Sequence, residues 1–148
     1  MQNRINILEA LPQATKAMYG LEQFLATTQL SKTHKELLKI RASQINGCAF
    51  CIDMHTKDAI KLGETPQRIF LLNAWRETHN LFTEEERVVL AITEEVTLIS
   101  HHGLTAETYN KAKAIFDGTY IAQLIFAVAT INTWNRIAIS SQLQPAGA

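Results

Sequence analysis

The chain has 148 residues, the size of one domain, and its 14 Lys+Arg balance 14 Asp+Glu for a formal net charge of zero. That balance argues against a general nucleic-acid binder, which carries a basic excess or stripe. A hydrophobic fraction of 47% with 19% charged residues is too apolar for disorder, and 6 Gly with 3 Pro are too few for a turn-rich β-sandwich.

The elements read as helix after helix, with no strand alternation. Pro12 suits a first helical position, and Ala14, Met18, Leu21 and Leu25 follow at three-to-four spacing. Ser31 or Thr33 caps the next helix, which carries Glu36, Leu37, Ile40 and Ile45 and ends at Asn46-Gly47. A further helix is predicted from about Cys48 to Leu62, stopped by Gly63. Thr65-Pro66 opens another through Leu71, Leu72 and Trp75. Thr83-Glu84-Glu85-Glu86 has capping-box spacing and starts a helix through Val89, Ile92 and Val96. His101-His102-Gly103-Leu104 reads as a connection. Thr105 then caps a helix that stops at Gly118, and Thr119 caps a long last helix ending near Leu143. The tail from Gln144 to Ala148 reads as frayed.

The last helix holds the longest uncharged stretch, the 18 residues Gly118 to Asn135. Gln123, Asn132 and Asn135 interrupt it, so it is expected to be buried and not to span a membrane. Its apolar residues cover nearly every side, which requires surroundings on every side. In so short a chain, some of that cover is expected from another subunit. The predicted fold is all-α, one domain over residues 1–148, with six to seven helices.

Chemistry concentrates in one segment. Glu36 is followed after eleven residues by Cys48, then Cys51, then His55. Cys48, Cys51 and His55 fall at i, i+3 and i+7, which places them on one helical face. Cys48 sits at the helix start, where free N–H groups and the dipole stabilise a thiolate. A thiol of pKa ~8.5 is only about 3% ionised at pH 7, whereas one lowered to about 7 is roughly half ionised. That position predicts Cys48 as the more exposed and more acidic thiol. His55, one turn beyond Cys51, can act as its base. Glu36 reaches the imidazole only if the two helices pack side by side, which completes a thiol–imidazole–carboxylate relay.

Other readings of these residues stay open at this point. Thr33 and Glu36 also have capping-box spacing. Cys48, Cys51 and His55 with Glu36 or water would make four zinc ligands, although structural zinc usually draws two Cys/His pairs from separate segments. A c-type haem is excluded because Ile52 follows Cys51. His34 and His79 read as surface residues, His101-His102 as an exposed loop without metal partners, and Trp75-Arg76 as packing plus a helix-end cation. Two close cysteines, and a start from Met1 to Asn6 without the apolar run of a signal peptide, predict the reducing cytoplasm.

The segment resembles the signature of the alkylhydroperoxidase D (AhpD)-like family, within the carboxymuconolactone decarboxylase superfamily. Glu36, Cys48, Cys51 and His55 each match a family active-site position. The resemblance includes Arg41 to Cys48, Asn73 to Glu77 and Phe82 to Arg87, and covers roughly residues 15 to 140. It implies a thiol-dependent, peroxiredoxin-type peroxidase with an antioxidant role, built only of helices and assembled as a homo-oligomer, a trimer or hexamer. It implies no cofactor beyond the Cys48–Cys51 dithiol/disulfide, no metal, no nucleic acid and no membrane. By the same resemblance Cys51 attacks the hydroperoxide, with its proton removed through His55, a water and Glu36. Cys48 resolves the sulfenic acid, and a lipoyl or thioredoxin-like dithiol restores the pair. Some members carry a second histidine just before the second cysteine, where this chain has Phe50. The competing functions are a carboxymuconolactone decarboxylase-like enzyme, whose name-giving members lack the cysteine pair, and a non-enzymatic redox-responsive or zinc-binding helical oligomer.

Overall fold

The computed structural model describes residues 4–147, and every described element is a helix. Of the start and the tail read from the sequence, Met1, Gln2, Asn3 and Ala148 lie outside the described residues. The elements are α1 (Ile7–Ala10), α2 (Pro12–Ala26), α3 (Lys32–Asn46), α4 (Ala49–Lys61) and α5 (Pro66–Phe70). A 3-10 turn (Leu72–Glu77) leads to α6 (Glu84–Thr97), α7 (Ile99–His102), α8 (Ala106–Ile115) and α9 (Gly118–Ser140). Among the described residues no helix is long and apolar enough to cross a membrane.

Helix α3 is the hub, packed against α4, α6 and α9. Its sequence shows why. Leu38 and Ala42 enter one apolar cluster with Val89, Ile92, Leu124 and Val128. Leu37 and Ile40, about a third of a turn away, enter a second with Leu72, Trp75 and Leu90. A third face, with Glu36 and Lys39, is only half-buried. Arg41 fixes α3 to α6 by donating to Glu94 at 2.8 Å, where Trp75 Nε1 (2.8 Å) and Arg76 (2.7 Å) also donate. Burial pushes the Glu94 carboxyl up, but hydrogen bonds from Trp75, Arg76 and Arg41 outweigh it and hold the group below its ordinary range.

The chain reverses between α3 and α4 at Gly47, whose φ of 72° lies in the left-handed region. The Cys48 N–H bonds back to Ser43 O at 3.0 Å and closes the helix end. An amide network pins this elbow. Asn46 Nδ2 donates to Asn132 Oδ1 (2.9 Å) and Asn135 Oδ1 (2.8 Å), and Asn135 Nδ2 donates to Ser43 Oγ (3.0 Å). Asn132 Nδ2 also reaches Thr97 Oγ1 on α6 at 3.0 Å.

Several expectations change in detail. Ser31, not Thr33, caps α3 by accepting from His34 N, and Asp117, not Thr119, caps α9. The helix expected from Pro66 through Trp75 divides into α5 and the 3-10 turn, with Ala74 at non-helical angles. The short α1 and α7 have no counterpart in the sequence reading, and α9 ends at Ser140. The chain does not cover α9 on every side: Phe126 and Ile139 stay 42% and 43% exposed. His34 is buried, not superficial, and its Nδ1 lies 2.7 Å from the Tyr120 hydroxyl. His79, His101 and His102 are exposed as expected, and Trp75 is buried beneath Arg76.

Two outcomes follow from this packing. Replacing Asn135, which is fully buried, by Ala leaves one donor of Asn46 and the hydroxyl of Ser43 without their partner. The Asn135→Ala protein is expected to lose about 2 kcal/mol in urea unfolding. Burial lowers the pKa of His34, against the opposing pull of Glu86 and Glu85. The unfolded chain therefore binds a proton at His34 first as pH falls. Stability is expected to fall once pH drops below about 6.5, until the folded state protonates in turn. Urea midpoints at neutral and mildly acid pH should show a smaller loss in His34→Gln.

Candidate active site

All four residues singled out from the sequence meet at the α3–α4 seam. Cys48 is the N-cap of α4, with its Sγ accepting from Cys51 N at 3.4 Å. Cys48 and Cys51 are joined as a disulfide with a Cα–Cα distance of 5.4 Å, inside the usual range. His55 stands one turn beyond Cys51 and is buried. From the neighbouring helix, Glu36 Oε2 lies 2.9 Å from His55 Nδ1. The capping alternative for Glu36 therefore fails, since Ser31 supplies the cap and the carboxylate goes to the imidazole.

This bond sets the imidazole's tautomer. An ionised carboxylate can only accept, so Nδ1 carries a proton, and in the neutral ring Nε2 keeps its lone pair. A ring in that state is a base on one edge and is oriented on the other. Among the described residues no group of three or more His, Cys, Asp or Glu is arranged to hold a metal ion.

Cys51 and His55 open onto a cavity of about 330 Å³. Phe50 and Met54 of α4 with Ile131, Trp134 and Ile137 of α9 give it apolar walls, and Leu8 and Leu143 close it from the ends of the chain. Its charged lining includes Lys39 and Glu22, an ion pair at 3.3 Å, and Glu22 also accepts from Trp134 Nε1 at 3.0 Å. Cys48 is not among the lining residues, and both cysteines are almost wholly buried. The expectation that Cys48 is the more exposed thiol is thus corrected: both are buried, and Cys51, not Cys48, is the cysteine that lines the cavity. The helix start predicts exposure, but the two cysteines join a buried cluster with Ala138, against which Leu143 and Phe50 pack. Glu36 faces elsewhere, into a separate hollow of about 220 Å³ lined by Thr33, Leu62, Gly63 and Glu64.

The cavity walls escape a reading of the sequence because they come from α1, α2, α9 and the segment after α9, each too far along the chain to be linked by spacing. The aromatic pair Tyr19–Trp134, with ring centroids 5.5 Å apart across α2 and α9, is of this kind.

In the Cys48→Ser protein, Glu36→Gln keeps the shape of the relay and removes its charge. Alkylation of Cys51 by iodoacetamide at pH 7 is expected to slow about tenfold, the kinetic equivalent of one charge-assisted hydrogen bond.

Known proteins resemble this chain at several levels. Residues 11–95 match the family model described as the carboxymuconolactone decarboxylase family. YdfG of Bacillus subtilis, an uncharacterised protein, is 41% identical over 140 residues, which cover 95% of each chain. The crystal structure of ATU0492 from Agrobacterium tumefaciens, a protein of unknown function proposed as an antioxidant defence protein AhpD, superposes with a TM-score of 0.94. It is 38% identical and covers 99% of this chain and 100% of its own. The debrominase Bmp8 shares the fold at a TM-score of 0.82 with 16% identity, over 95% of this chain and 75% of that one.

Proposed function

The chain belongs to the carboxymuconolactone decarboxylase family, in its AhpD-like branch, and from this and the relay at the α3–α4 seam we propose that it is a thiol-dependent hydroperoxidase. The observation that carries this reading is the Glu36–His55 bond at 2.9 Å beside a cysteine that opens on an apolar cavity. The buried Cys48–Cys51 pair argues against a decarboxylase-like reaction.

In the reduced protein His55 Nε2 takes the proton of the Cys51 thiol, and Glu36 stabilises the imidazolium through Nδ1. The thiolate attacks the terminal oxygen of the hydroperoxide. An S–O bond forms, the O–O bond breaks, and the alcohol departs with a proton returned from His55. The sulfur is oxidised by two electrons to a sulfenic acid. Cys48 then attacks Cys51, water leaves, and the Cys48–Cys51 disulfide forms. A dithiol of the lipoyl or thioredoxin-like type restores the two thiols and becomes a disulfide itself.

The apolar walls suit an organic hydroperoxide, whose carbon body gains by leaving water. Nothing in this chemistry requires the imidazole that some relatives carry in place of Phe50, which here is part of the cavity wall. The partly exposed Phe126 and Ile139 of α9 support self-association into a homo-oligomer.

The test is consumption of an organic hydroperoxide with dihydrolipoamide as donor. Cys51→Ser is expected to abolish turnover. Cys48→Ser is expected to accumulate a sulfenic acid at Cys51 that a dimedone probe traps by mass. Trapping at Cys48 in Cys51→Ser instead would reverse the assignment of the two sulfurs, and no peroxide loss with any dithiol would sink the reading.

A further inference from the structure

The chain just beyond α9 carries a feature that the thiol relay leaves unexplained. Ser141 caps the helix, Gln142 follows at φ 55°, and Leu143 N bonds back to Ala138 O at 3.0 Å. Among the described residues Gln142 is the only non-glycine with positive φ. A residue with a Cβ is disfavoured in that conformation. A second cost lies next to it: Ser141 Oγ is buried and finds no hydrogen-bond partner among the described residues.

What the turn gains is a seal. It lays Leu143 against the buried cluster that Cys48 and Cys51 form with Ala138, and the same residue forms part of the cavity wall. Arg4 Nη1 holds the helix end from outside through Ser140 O at 3.1 Å. With this cover in place Cys48 and Cys51 are 1% and 2% exposed. A thiolate that reduces the disulfide must approach one sulfur in line with the S–S bond, and Cys48 is reached neither from solvent nor from the cavity.

We propose that Leu143, carried on the left-handed turn at Gln142, is a strap that determines which partner each sulfur meets. Closed, it leaves Cys51 alone facing the cavity. Lifted, it admits a dithiol to Cys48. In that exchange a thiolate of the dithiol attacks Cys48 Sγ, the S–S bond breaks, and Cys51 leaves as a thiolate. The second thiol attacks the mixed disulfide, Cys48 is released and the reductant closes its own disulfide, so two electrons pass to the cysteine pair. A left-handed glutamine and an unpartnered hydroxyl offset part of what the Leu143 packing and its backbone bond to Ala138 contribute, which makes the closed turn easier to lift than an ordinary helix end. The strap's place in turnover rests on the hydroperoxidase reading, whereas its control of access to the disulfide does not.

The experiment measures reduction of the oxidised full-length protein by dithiothreitol, with acid quench and mass analysis of alkylated thiols. Gln142→Gly relieves the left-handed position and holds the strap down, so reduction is expected to slow about fivefold. Leu143→Ala removes the seal, and reduction is expected to quicken about tenfold. Reduction of either folded variant at the wild-type rate overturns the proposal. Thermal melts confirm folding, and if Leu143→Ala does not fold, Gln142→Gly decides alone. Opposed rate shifts in a protein inert to every hydroperoxide would sink the hydroperoxidase reading and keep the strap. Turnover of peroxide with unshifted reduction rates would do the reverse.

Discussion

The reversal at Gly47 governs everything else, because it lays α3 and α4 side by side. Asn46 holds that reversal by donating to two asparagines of α9. From Gly47, Glu36 lies about 16 Å back along α3 and His55 about 12 Å forward along α4 at 1.5 Å per residue. That difference is small enough for a glutamate and a histidine side chain to close. A bend of another angle would leave a carboxylate in solvent and an unoriented ring. The pairing that makes the imidazole a base is therefore a consequence of backbone geometry, secured by amides that take no part in the chemistry.

Helix α3 separates its duties by face. Two faces enter the two apolar clusters, and the Arg41–Glu94 contact ties the helix to α6. Only the remaining face carries Glu36 toward His55 of α4 and Lys39 toward the cavity. Rigidity on two sides is what permits a partly buried carboxylate on the third, since an ion held loosely in apolar surroundings would retreat to water. The same division explains why the reactive cysteines come from α4. Its N-terminus is free to present N–H groups to sulfur, as the Cys51 N to Cys48 Sγ contact shows.

Most of this was legible from the residues. Capping residues, glycine stops and apolar spacing located the long helices, since these signals are local and strong. Thr83 with Glu86 forms the capping box that its spacing foretold. The four-residue skeleton also located the relay, because helical spacing fixes Cys51 and His55 on one face whatever the tertiary structure. Errors arose where distant contacts decide. Tyr120, far along the chain, meets His34 in the interior, and Leu143 and Ala138, from the far end, pack into the cluster that buries the cysteine that position alone suggests is exposed. Choices between neighbouring caps, Ser31 over Thr33 and Asp117 over Thr119, turn on a shift of two residues that propensity does not resolve. The cavity was illegible for a different reason: its walls come from segments spread over the length of the chain.

Glu36 meets His55 and also lines a polar hollow, while the cavity that Cys51 and His55 line is a separate one. A guest that fills the apolar chamber therefore leaves the carboxylate that orients the ring untouched, since that carboxylate lines a different hollow.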